Sequence, residues 1–165
     1  KTGTTQKMSP SLDTRFFGIQ EEITLTQNGV WLSNGEEITH PGTLNAFNRS
    51  VFRTANGFEI RLGSGDQQEK KSITVEDTFY FVTSLNGTSE QGFTIRLNDG
   101  RTLPLNPETL AYQNERLTCK VPHFSEKTHE EAKFLIQPYY SLLKLADQKG
   151  DQIEIIIQGK KIKLT

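Results

Sequence analysis

The sequence predicts a strand-rich α+β protein of two small antiparallel-sheet subdomains with one helix each, and three observations carry that expectation. Short β-prone runs separated by Asn-Gly and Asn-Asp-Gly turn signals recur along most of the 165 residues. Two stretches, around Leu44 to Phe52 and Ala132 to Ala146, repeat apolar residues at helical spacing. Each is followed by strands, so the chain falls into halves of similar length with a loose repeat of element order and little side-chain identity. The expected division is a flexible arm over 1–21, one subdomain over 22–77 and a second over 78–165.

The arm expectation rests on Lys1 to Asp13, a polar Thr- and Ser-rich stretch with Pro10 and no periodicity. Glu22 to Thr26 and Val30 to Leu32 then flank Asn28-Gly29, where glycine reaches positive φ at low cost, and this is the clearest hairpin signal. Asn34-Gly35 should end the outgoing strand. Thr39 is the expected cap of a first helix from Pro41 to Ala55, with Leu44, Phe47, Val51 and Phe52 on one face and Asn56-Gly57 as its left-handed stop.

Phe58 to Leu62 alternates as a half-buried strand, and Ser72 to Val75, Thr78 to Leu85, Phe93 to Leu97 and Thr102 to Leu105 continue an antiparallel meander with turns at Asn86-Gly87 and Asn98-Asp99-Gly100. A strand over Arg116 to Val121 leads to a second helix. Thr128 and Glu131 have capping-box spacing, Ala132, Leu135, Ile136, Tyr139, Leu142, Leu143 and Ala146 form its apolar face, and Pro138 is expected to kink it. Gln152 to Ile157 and Lys160 to Leu164 close the chain as a hairpin around Gln158-Gly159, with Ile155 to Ile157 buried.

Composition narrows the function. Nineteen basic and twenty acidic residues leave a formal charge of −1, which provides no field for gathering nucleic-acid phosphates. No apolar run approaches the roughly 18 residues of a membrane span, and the first residues lack the apolar centre of a signal peptide. Cys119 is the only cysteine, so no internal disulfide forms, and a reducing, cytoplasmic setting is the expectation.

No phosphate loop, dinucleotide fingerprint, nucleophile elbow or zinc-binding pair is present, and no cofactor or metal is expected. His123, Glu126, His129 and Glu130 cluster in sequence, but a solvated, charged helix start accounts for them better than a metal site does. Glu76-Asp77 offers a carboxylate pair for general-base chemistry, against the reading that Asp77 accepts backbone hydrogen bonds in a turn. Trp31 suits either ligand stacking or the core. Tyr139 shares the apolar helical face, whereas Tyr140 lies about 100° round it and is the candidate for a hydroxyl directed at a groove. Lys160-Lys161 with Lys163, and Lys70-Lys71, read as edge protection or as contacts for an anionic partner.

Several of these residues also carry a resemblance. Gly29-Val30-Trp31, Ile38 with Pro41 and Leu44 to Phe47, the run Glu69 to Asp77 followed by Phe79, and Tyr139 to Ala146 before the terminal hairpin resemble, in that order, the bacterial family known as domain of unknown function 1285. The chain departs from that family's pattern at Gly63 to Asp66, where a Thr-Pro-rich approach is usual, and at His40, where arginine is usual. The resemblance implies two α+β subdomains with a cleft between them, no established enzymatic activity and a link to bacterial signalling.

The function expected is therefore a binding or regulatory module holding a small molecule or protein segment in that cleft, with Trp31, His40, Lys70, Asp77 and Tyr140 as candidate ligand contacts. The alternative is an assembly module pairing through an exposed strand. An enzyme using Glu76 or Asp77 as general base ranks last.

Overall fold

The computed structural model describes residues 21–164; the arm expected over 1–21 lies outside them except for Glu21. Backbone contacts divide the chain after Asp77 into two compact units.

The first unit holds β1 (Ile23–Leu25), β2 (Trp31–Ser33), β3 (Glu36–Glu37), α1 (Pro41–Asn48), β4 (Val51–Thr54), β5 (Gly57–Leu62) and β6 (Glu69–Val75). The strands form one sheet in the order β3-β2-β1-β6-β5-β4. The expected hairpin is present, with Leu25 opposite Trp31 and Gly29 at φ 82°. Asn34-Gly35 occupies positive φ at both positions, and it joins β2 to the short β3. β1 and β6 run parallel, with Thr24 opposite Thr74, so the sheet is mixed. Ile23, Leu25, Trp31, Phe47, Val51, Ile60 and Leu62 are buried in this unit.

The first helix is shorter than its spacing predicts. The Ser50 amide donates to the Phe47 carbonyl at 3.1 Å, after which Val51 to Thr54 pair with β5 over the whole of β4. Ladder bonds and the β-branched Val51 thus outweigh the helical recurrence of Val51 and Phe52 after Leu44 and Phe47. Asn56-Gly57 belongs to the β4–β5 turn. The cap is His40 rather than Thr39, its Nδ1 accepting the Thr43 amide at 3.1 Å. Pro41 follows at the first helical position, where its missing N–H costs nothing.

The second unit holds β7 (Tyr80–Thr88), β8 (Gly92–Leu97), β9 (Thr102–Pro104), a one-turn 3-10 helix (Pro107–Thr109), β10 (Ala111–Gln113), β11 (Arg116–Pro122), β12 (His129–Phe134), α2 (Ile136–Leu143), β13 (Asp147–Lys149), β14 (Gln152–Ile157) and β15 (Lys160–Lys163). A six-stranded sheet runs β10-β11-β12-β7-β8-β9, and β13-β14-β15 forms a smaller one. β12 and β7 are parallel, Ala132 opposite Tyr80, so this sheet is mixed too. The architecture is a strand-rich α+β fold, as expected, with one parallel pair in each six-stranded sheet.

Two sequence signals resolve differently here. His129 to Phe134 is a strand, not the start of a helix: Glu130, Ala132 and Phe134 are buried in alternation, and Cys119 of β11 faces Ala132. Glu130 is therefore not part of a solvated helix start. α2 begins only after Leu135, which puts Pro138 in the first turn, where backbone donors have no helical partner, so no kink is required. Asn86-Gly87 is likewise no turn. It lies inside β7, and the reversal falls at Ser89 to Gln91. Gly87 stands at φ 121° with its α-carbon so close to β8 that an added Cβ would lie 2.2 Å from the Gly92 oxygen. In the terminal hairpin Ile155 and Ile157 are buried, while Ile156, on the other face of β14, is 54% exposed.

Candidate functional site

The strand β7 outruns its neighbour. β12 pairs with it only at Tyr80 to Val82, and the Leu135 amide gives the last bond of that side to the Val82 carbonyl at 3.0 Å. There the chain turns into α2, which packs against β7. On the opposite side β8 stays paired with β7 out to Thr88, past an irregularity between Val82 and Ser84.

The direction of the backbone groups beyond Val82 follows from the pairing. The Leu105 amide donates to the Phe93 carbonyl at 2.9 Å, which turns Phe93 toward β9. Its register partner Gly87 therefore directs its N–H and C=O away from β8, and Leu85, opposite Ile95 two residues earlier, does the same. No strand of the described residues pairs with that side of β7 after Val82.

A groove of about 480 Å³ lies there. Leu85, Phe93 and Leu145 supply its apolar surface, and Ser141 on α2 with Lys144 and Leu145, the cap and the turn that follow it, form one wall. The tip of the β7–β8 hairpin, Thr88 to Glu90, closes one end. That tip is held from the smaller sheet: the Gln158 amide donates to the Ser89 carbonyl at 2.6 Å and its Nε2 to the Gln91 carbonyl at 3.1 Å. Gln158 sits at φ 52° to do so. The side chains of Lys144 and Glu90 have no ion-pair partner among the described residues.

The residues expected to bind ligand are placed as follows. Trp31 is 1% exposed, its ring edge-on to Phe47 at 5.3 Å and its Nε1–H bonded to the Asn48 side chain at 2.8 Å, so it is enclosed in the core of the first unit and has no face for a ligand. His40 is exposed, with Nδ1 committed to the helix cap. Lys70 is exposed on β6 opposite Arg61. Glu76 accepts the Gln27 amide at 3.0 Å while its own amide extends the β1–β6 ladder to Leu25, a clip on the first hairpin. Asp77 is half-buried at the end of the first unit. Tyr140 is 62% exposed, packs edge-on against Tyr139 at 5.1 Å and lies outside the groove lining, next in sequence to Ser141, which is part of it. Tyr139 is half-buried with its hydroxyl 3.2 Å from that of Tyr112; burial first, then this bond, holds its ionisation above the ordinary phenol range.

Several buried ionisable groups of the second unit do structural work. His123 is buried and its Nδ1 accepts the amides of Ser125 and Glu126 at 3.1 and 3.0 Å, which fixes the neutral ring's proton on Nε2. Asp99, 1% exposed, holds Arg101 through Nε at 2.9 Å and through its amide at 3.0 Å, and the guanidinium covers the rings of Tyr80 and Phe124. Burial raises the Tyr80 hydroxyl to about 12 and the Cys119 thiol to about 12, which leaves the thiol protonated and unreactive at neutral pH. No group of three or more His, Cys, Asp or Glu suited to a metal occurs among the described residues, and none of their helices is long and apolar enough to cross a membrane.

The sequence reading missed Leu85, Gly87, Ser141, Lys144 and Leu145.

No family model matches the chain, and no curated protein matches it. Two solved structures do. A DUF1285 family protein from Silicibacter pomeroyi DSS-3 superposes with a TM-score of 0.56 at 15% identity, covering 87% of this chain and 79% of its own. A DUF1285 family protein from Shewanella baltica OS155 superposes with a TM-score of 0.54 at 12% identity, covering 76% of this chain and 92% of its own. The order of motifs in the sequence and these superpositions thus agree, and the chain has the fold of the DUF1285 family proteins.

Proposed function

We propose that the protein is a binding module whose site is the groove between β7 and α2. One observation carries this reading: a recess of about 480 Å³ joins apolar surface from Leu85, Phe93 and Leu145 to polar groups on its walls, Ser141, Lys144 and Glu90. Ligand sites commonly have this size and this mixture of apolar surface with a few orienting polar groups. A regulatory part in bacterial signalling, in the cytoplasm, completes the proposal and rests on the family resemblance.

The test is thermal stabilisation by a panel of small molecules and peptides. A ligand at about a hundred times its Kd should add about 2.7 kcal/mol, a rise of roughly 5–10 °C for a chain of this size. Ser141→Trp, which fills the groove from its helical wall, should leave the free protein's melting temperature within about 2 °C and abolish the rise. A ligand whose stabilisation survives Ser141→Trp would place the site elsewhere.

A further inference from the structure

We infer that the occupant of this groove is an extended polypeptide segment that adds to β7 as one more strand, with an apolar residue set beside an acidic one. The inference rests on the groove being the binding site and names its partner.

The backbone makes the first argument. Leu85 and Gly87 line the groove, and they are the two β7 residues beyond Val82 whose N–H and C=O point away from β8. No bond to these groups occurs on that side among the described residues. A row of alternating donors and acceptors at strand spacing is matched by the backbone of another extended chain, which satisfies all of them at once. A small molecule matches one or two.

The wall makes the second. The other strand margins of this sheet are ill suited to pairing: β9 ends in Pro104, and β10 spans three residues with the Tyr112 amide already donated to the Leu164 carbonyl at 2.9 Å. Along β7, α2 packs against the strand, and Ser141 of α2 lines the same groove as Leu85 and Gly87.

Charge and shape make the third. Side chains of an added strand alternate between its two faces, so one apolar residue can enter the surface formed by Leu85, Phe93 and Leu145. Lys144, the cap that ends α2, lines the groove without an acidic partner among the described residues and complements a carboxylate on the segment. Glu90, at the hairpin tip, disfavours a second acid at that end.

The experiment selects binders from a random-peptide display library on the full chain, then methylates the backbone nitrogens of a selected peptide one at a time. Methylation at alternate residues should weaken binding roughly three- to tenfold each, as the loss of one hydrogen bond does, with little effect at the residues between. Lys144→Glu should weaken acid-containing peptides by about tenfold or more and leave the melting temperature unchanged. Insensitivity to every methylation, or a library that yields no binder blocked by Ser141→Trp, would overturn the strand assignment. Stabilisation by a small molecule that Ser141→Trp abolishes would, in that case, keep the groove as a site. Concentration-dependent dimers lost on Ser141→Trp would give the edge to a second copy and also overturn it.

Discussion

Replacing Gly87 by alanine isolates the feature that sequence reading assigned to a turn. The residue lies within the paired strands, one residue before the end of β7, at φ 121°, a conformation that L-residues rarely adopt, and its Cβ would stand 2.2 Å from the Gly92 oxygen and 2.9 Å from the Phe93 Cα. The conformation alone costs about 1–3 kcal/mol. Both clashing atoms are backbone, so relief requires the strands to part, with loss of at least one flanking ladder bond worth about 1 kcal/mol. The sum is about 3 kcal/mol. Gly150 provides the control: its φ is 65° and no atom lies within 4 Å of the added carbon, so Gly150→Ala should cost only about 1 kcal/mol. Urea unfolding of both variants, with equal slopes, gives the comparison. A Gly87→Ala loss no larger than that of Gly150→Ala would refute the close approach of β7 to β8 and the placement of Gly87 inside the strand.

Other outcomes follow from the same packing. Phe47→Ala should destabilise the protein by about 3–5 kcal/mol, because the ring is buried against Trp31; a loss below about 1 kcal/mol in chemical unfolding would contradict that contact. Asp99→Ala should cost about 3 kcal/mol, since it leaves the Arg101 guanidinium without its buried carboxylate, and Asp99→Asn should recover part of this; equal losses for the two would assign the effect to packing alone. Burial raises the Tyr80 hydroxyl from the ordinary phenol value of about 10 to about 12, so its contribution to stability is complete below pH 10 and is lost as pH rises toward 12. Tyr80→Phe should flatten the stability curve across that window, and an unchanged alkaline slope would show that the hydroxyl is not protected.

What the sequence made legible was set by local chemistry. Asn28-Gly29, Asn34-Gly35 and Gln158-Gly159 all sit at reversals where glycine has positive φ, and the hairpins they define are present. The two helices were located but overextended for one physical reason. Apolar residues at helical spacing, Val51 and Phe52 after Phe47 and Ala132 before Leu135, are also compatible with strands, and partners distant in sequence decided: Ile60 faces Val51, and Cys119 faces Ala132. Of the five candidate binding residues, Trp31 is enclosed and Tyr140 lies beside the groove rather than in it. The groove itself could not be read locally, because it arises where β12 leaves β7 to become α2, and no short stretch of residues records that departure.

The most direct measurement of the central claim is residue-resolved amide exchange along β7, with and without a peptide selected on the full chain. In the free protein Ser84 and Asn86, which face β8, should exchange slowly, while Leu85 and Gly87 exchange much faster. On binding, Leu85 and Gly87 should become slow and the others change little. Slow exchange at all four residues in the free protein would contradict an open strand edge, and unchanged fast exchange at Leu85 and Gly87 in the complex would contradict strand addition.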